Sequence, residues 1–223
     1  MKEKNSIIII GGIASIIFGI LTLIQNLFLL PVFSPPVMDT DLQTWLSRWH
    51  FQIAMADEVL LFATLALIPS IAALYQLLVK TEKVKALIGC GIIALILPIN
   101  VFLDIILGRL AYPVYNMKMS AGINKLVLSI FYGGMHCAAI LWCIAIITLC
   151  YLIRKSTIGK MAAYFGFLTA ALVLIGAFPW LIGNVLYFIT QLFFSTWFVI
   201  LGIRILLVQK QTRDEKSSTN QFE

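Results

Sequence analysis

Three acids and one histidine stand inside apolar runs long enough to cross a bilayer. Asp57 and Glu58 lie in FQIAMADEVLLFATLALIPSIAALYQLLV, Asp104 in LPINVFLDIILG and His136 in FYGGMHCAAILW. An ionisable side chain in hydrocarbon costs roughly 2.5–3.5 kcal/mol by insertion scales, so its presence marks a partner or a purpose. Carboxylates beside an imidazole suit three chemistries. They relay protons; they ligate zinc, for which Glu58, Asp104 and His136 form a candidate set; or they hold the polar part of a bound molecule. No H-x-x-x-H or H-x-x-E-H pair accompanies them, and no phosphate-binding glycine loop or G-x-S-x-G elbow, so no cofactor is expected.

The elements that must position these residues follow from composition. Of the 223 residues 61% are hydrophobic and only 12% charged, with a mean hydropathy of +0.99. A soluble domain carries about 25% charged residues, so the chain reads as a polytopic membrane protein. A helix needs about 20 apolar residues to span the hydrocarbon. Segments 6–30, 51–79, 86–108, 126–152, 161–182 and 184–208 meet that length and predict an all-α six-helix bundle. Residues 1–208 form a single transmembrane domain, followed by a polar tail at 209–223. The first run lacks a small-residue cleavage site and reads as a span rather than a signal peptide. None of the four cysteines belongs to a C-x-x-C pair, and all lie within apolar runs as small filler.

The net charge of +6 is distributed as an orientation signal rather than as a nucleic-acid surface. Twelve of the 16 lysines and arginines fall at the termini, around Lys80–Lys85 and around Arg154–Lys160, whereas Arg48, Arg109, Lys118 and Lys125 fall on the other side. That asymmetry puts both termini in the cytoplasm of a plasma membrane, with lipid as the obligatory partner and no nucleic acid. A weak echo at an offset of 75 residues aligns Lys80, Lys85 and Gly91 with Lys155, Lys160 and Gly166. Repeats of this kind occur in transporters, although basic turns also recur for topological reasons.

On the outer side, MDTDLQTWLSRWH predicts a short interfacial helix. Asp39 or Asp41 would cap it, and Trp45 and Trp49 would sit at headgroup depth. Depths follow from about 1.5 Å per residue: about 10 Å for Glu58, 6 Å for Asp104, 15 Å for His136 and 10 Å for Gln191 in the last span. All lie in the outer half. Adjacent Asp57 and Glu58 point about 100° apart, so one of them faces the interior. Pro69, Pro98 and Pro179, inside or near the ends of spans two, three and five, each free a backbone carbonyl, and Gly133 and Gly134 allow close helix approach beside His136.

From His136 onward the chain resembles a family of uncharacterised bacterial multi-span membrane proteins, a domain of unknown function. The resemblance rests on the span-four histidine, the basic turn YLIRKSTIGK, the span-five start YFGFLTAAL and the final STWFVILGIRIL. It implies architecture and a bacterial membrane location. The family favours a carboxylate near the position of Gln191, where this chain carries an amide.

These residues converge on an outward-facing polar pocket. Glu58, Asp104, His136, Gln191 and Asp57 would contact a small amphipathic molecule or lipid, and Trp180 would border the way in, for transport, resistance or sensing. Two alternatives stand beside it. One is an intramembrane enzyme, metal-dependent or lipid-modifying, using His136 and a carboxylate. The other is a structural subunit whose acids are neutralised by Arg48, Arg109, Lys118 and Lys125 or by a partner.

Overall fold

A computed structural model describes residues 2–32, 34–112, 114–116 and 119–219 of the chain. Those residues form α1 (Lys2–Leu29), α2 (Asp39–Leu78), α3 (Lys83–Ala111), α4 (Ala121–Ile153), α5 (Lys160–Gly176) and α6 (Pro179–Thr219), and no strand. Of the expected charges Lys118 lies outside the described residues, as do tail positions 220–223.

Each helix packs against its neighbours in sequence, and α1 returns to α6, so the six make a closed up-and-down ring. Small residues set the tightest seams. A Cβ added at Gly202 would lie 2.5 Å from the Gly12 carbonyl oxygen, and one at Gly19 would lie 2.6 Å from that of Ser195. Backbones that close leave no room for a methyl group, the usual device of helices that pack in lipid. On the other flank of α1 a Ser15–Ser70 hydroxyl pair at 2.6 Å ties it to α2. Gly134 likewise admits Leu103 of α3 against α4.

Five helices are long and apolar enough to cross a membrane: the Ser6–Leu29 part of α1, then α2, α3, α4 and the Pro179–Gln211 part of α6. The fifth expected span is shorter than the sequence suggested. Helix α5 has 17 residues and ends at Gly176, not near 182. Its last turn lies beside Thr190 of α6, since a Cβ at Gly176 would fall 2.6 Å from the Thr190 hydroxyl. Residues 177–178 connect α5 to α6, whose first turn is broken off at Gly183 (φ 73°), a conformation that only glycine adopts without strain. Pro179 consequently stands at the start of α6, outside α5.

Two further expectations change. The interfacial segment is not a separate helix but the first three turns of α2, which runs unbroken for 40 residues, about 60 Å. No Gly or Pro occurs between Asp39 and Pro69 to interrupt it. Its N-cap is Met38, without a side-chain cap; Asp39 and Asp41 occupy the first turn, where their charge complements the helix dipole. Pro69 and Pro98 lie inside α2 and α3, as the sequence suggests. The tail is helical as far as Thr219.

The half of the ring holding the α2–α3 and α4–α5 connections is solid. Leu74, Ile146, Leu149, Trp197, Leu201 and Ile205 are fully buried there. Arg204 Nε donates to the Ile158 carbonyl at 2.6 Å and fastens the α4–α5 turn at that end. Above this core, Phe18, Trp142, Phe194 and Phe198 interlock edge to face, with centroids 4.4 Å apart for Phe18–Phe198 and 5.0 Å for Trp142–Phe194.

If the α1–α6 seam closes the ring, Gly202→Ala destabilises the protein by about 1–3 kcal/mol through overpacking. Thermal unfolding in detergent should show this, while Gly91→Ala, whose Cβ would meet nothing within 4 Å, should not lower the midpoint. Equal midpoints for the two variants would contradict the seam.

Candidate functional site

The four expected polar contacts do not surround one void. They fall into three groups, each set by a different pair of helices.

The acids gather where α2 meets α3. Asp57 is buried, 6% exposed, and its Oδ1 has no hydrogen-bond partner among the described residues. Helix α3 makes room for it with Gly108, where an added Cβ would lie 2.8 Å from Asp57 Oδ2. Glu58 points the other way and is exposed, as the 100° offset requires. The Tyr112 hydroxyl, one residue past α3, donates to Glu58 Oε1 at 2.9 Å. Desolvation, reinforced by that hydrogen bond and by the neighbouring acids, pushes the Tyr112 phenol up to about 12, so it keeps its proton and remains a donor. Asp104 is half-buried, its Oδ1 also unpartnered, within electrostatic range of both Asp57 and Glu58.

Among the described residues, the expected cations Arg48, Arg109 and Lys125 form no ion pair with these acids. Among the described residues the ion pairs are Lys85–Glu82 at the opposite end and Lys125–Asp39 at the start of α2. Arg48 lies over the Trp49 ring, 5.2 Å from its centroid. Arg109 lines a shallow recess with His50 and Asn124, where the start of α2 meets the end of α3.

His136 stands apart from the carboxylates. A carbonyl can only accept, so His136 Nδ1 carries the proton it donates to the Ala177 oxygen at 2.8 Å. Ala177 is the C-cap of α5, and a helix end leaves four carbonyls without intrahelical partners. In hydrocarbon each costs several kcal/mol, so the histidine answers a need created by the short helix. Phe178 and Trp180 flank the ring at 4.8 and 5.8 Å, which is the role Trp180 takes. His50 acts in the same way: its Nε2 donates to the carbonyl of Ala111, the last residue of α3, at 2.6 Å. Both histidines of the chain thus serve helix C-termini. Among the described residues no group of three or more His, Cys, Asp or Glu side chains is disposed to hold a metal, so Glu58, Asp104 and His136 do not form the zinc set.

Gln191 faces the interior of the ring. It lines a cavity of about 110 Å³ directly above the aromatic cluster, with Gln25, Asn26, Asn100, Thr22 and Tyr187 as its other polar walls. Phe18, Trp142 and Phe194 form the floor, and Met135 and Phe131 the apolar flank. A second cavity of about 80 Å³ continues from it, sharing Asn26, Leu29, Phe131, Met135 and Tyr187. It reaches Trp45 of α2 and Asn184 at the start of α6. Asn184 Nδ2 donates to the Val32 carbonyl, which fastens the turn after α1 to the mouth. Apart from the Trp45 indole, the polar lining is amide and hydroxyl, and among the described residues neither cavity includes a charged side chain. Amides both donate and accept, so the chamber suits an uncharged hydrogen-bonding group with an apolar body.

Attention to charges alone passed over this lining. Its signal was present: Gln25 and Asn26 interrupt LTLIQNLFLL, and Asn100 interrupts LPINVFL, each inside a span.

No family model, curated protein or solved structure matches the chain. The arrangement defines a multi-helix bundle of membrane-spanning character with an amide-lined central chamber.

His136→Phe keeps a ring between Phe178 and Trp180 but leaves the Ala177 carbonyl unpartnered. It should cost about 1–3 kcal/mol in unfolding experiments. Wild-type stability in this variant, or an equivalent of zinc that disappears with the imidazole, would contradict the capping role.

Proposed function

We propose that the chain is a six-span protein of the bacterial plasma membrane, both termini inside, which binds a small uncharged amphipathic molecule or lipid from the outer leaflet. The observation that carries this reading is the amide-lined chamber, floored by aromatic rings and continued by a second cavity toward Trp45 and Asn184. Orientation is supported by the charge asymmetry: Lys80, Lys83, Lys85, Arg154, Lys155, Lys160 and Arg204 share the solid end of the ring. The short α5 completes the sixth crossing together with residues 177–183.

The chamber suits recognition of a neutral head. A carboxylate or ammonium group would find no counter-charge there and would have to shed its hydration at a cost of several kcal/mol. An alcohol, carbonyl or amide would exchange water for Gln25, Asn100 and Gln191 at little cost, and its chain would lie against Met135, Phe131 and Leu29. With the opposite half packed solid, the arrangement corresponds to a binding or sensing state, or to the outward-facing member of a transport cycle.

Trp142 provides the test. A brominated long-chain alcohol titrated into purified protein in nanodiscs should quench its fluorescence saturably, and Trp142→Phe should abolish that component. Gln191→Leu and Asn100→Leu should each weaken the apparent affinity about tenfold, the worth of one hydrogen bond of about 1.4 kcal/mol. Quenching that is linear in alcohol and indifferent to both substitutions would mean lipid-phase contact only and would refute the reading.

A further inference from the structure

A second site lies outside the chamber, on the seam of α2 and α3. We propose that Asp57 and Asp104 form a proton-binding site, holding one exchangeable proton between them, which is loaded from the outer surface by way of Glu58.

Asp57 sits within a packed seam with 6% of its surface exposed and one carboxyl oxygen without a partner, an arrangement that a bare carboxylate does not tolerate in hydrocarbon. Position 108 is glycine, and any side chain there would displace the carboxyl, so the seam is shaped around this group. The second acid, Asp104, presents a further buried and unpartnered oxygen. Two carboxyl groups in mutual electrostatic range, with no cation paired to either among the described residues, reach neutrality most directly by retaining a proton. A metal ion would need a set of ligands that the described residues do not provide.

The groups facing Asp57 are few. Helix α3 contributes Asp104 and, just beyond its end, Tyr112; α2 itself contributes Glu58. The membrane segment of α1, Ser6–Leu29, contains no titratable side chain. Helix α4 turns His136 to the Ala177 carbonyl and Tyr132 to the second cavity, while its Lys125 is held by Asp39. The site is therefore acidic throughout. Glu58 is its exposed member, bound to Tyr112 at the outer end of α3. A proton taken from hydronium at that surface converts the Glu58 carboxylate to the acid. Its transfer to the Asp57–Asp104 pair restores the Glu58 charge and leaves the pair neutralised by one proton.

Infrared spectroscopy of the protein in nanodiscs reads this directly. At neutral pH the wild type should show the carbonyl stretch of a protonated carboxylic acid, shifted on transfer to deuterium oxide. Asp57→Asn should lose the band, and Gly108→Ala should shift it by crowding Oδ2, whereas Glu58→Gln should retain it. Should Asp57→Asn fail to fold, the Gly108→Ala shift carries the test alone. Absence of the band in the wild type, a band unmoved in Gly108→Ala, or its disappearance on adding sodium or calcium chloride would overturn the proposal, the last by showing that a metal cation neutralises the site.

Discussion

The contact on which the rest depends is the seam between α1 and α6, where Gly12, Gly19 and Gly202 let two backbones meet without intervening side chains. Only with that seam closed do six successive helices become a ring with an interior. The ring then has to be filled. The solid half is filled by Leu, Ile and Trp, and the open half is left lined by Gln25, Asn26, Asn100 and Gln191. Lipid tails are as apolar as the packed core and do not drive the helices together, so close backbone approach supplies the dispersion attraction that holds the ring.

Polar groups in this interior have one another and little else. The short α5 leaves carbonyls without intrahelical partners, and His136 answers with an N–H; α3 receives the same service from His50. The amides of the chamber face a void in which a ligand or water completes their bonding. Asp57 and Asp104 have neither arrangement; Thr64, Gln76, Asn124 and Ser195 also hold an unpartnered buried oxygen, but among these six only the two aspartates are ionisable. Charge and amide are therefore segregated. Acids occupy the α2–α3 seam, amides the centre, and imidazoles the helix ends.

Much of this architecture is legible from composition. Long apolar runs bounded by basic turns specify helices, their number and their order, because the bilayer permits few other spanning structures. The end of α5 was not legible: FPWLIG is apolar, so hydropathy carries the run past Gly176, whereas the break comes from local backbone geometry at Ala177–Gly183. The extension of α2 beyond its apolar stretch was hidden for the opposite reason, since polar TDLQTWLSRW reads as a separate interfacial element although nothing interrupts the helix. The site residues separated in the same manner. Depth along a helix follows from counting residues, and Glu58, Asp104, His136 and Gln191 all lie in the half of the ring away from the α2–α3 and α4–α5 connections. Azimuth around a closed ring does not follow from counting, and azimuth sends the first two to a seam, His136 to a turn and Gln191 alone to the chamber.

Photolabelling would most directly examine the claim that the chamber accepts a neutral amphiphile. A long-chain alcohol bearing a diazirine near its hydroxyl, irradiated with the protein in nanodiscs and mapped by peptide mass spectrometry, should label Met135, Tyr187 or Gln191 on the inward faces of α4 and α6. An excess of unlabelled alcohol should compete that labelling away. Labelling confined to outward-facing residues such as Leu65, Ile105 or Ile147, and insensitive to competitor, would contradict the account.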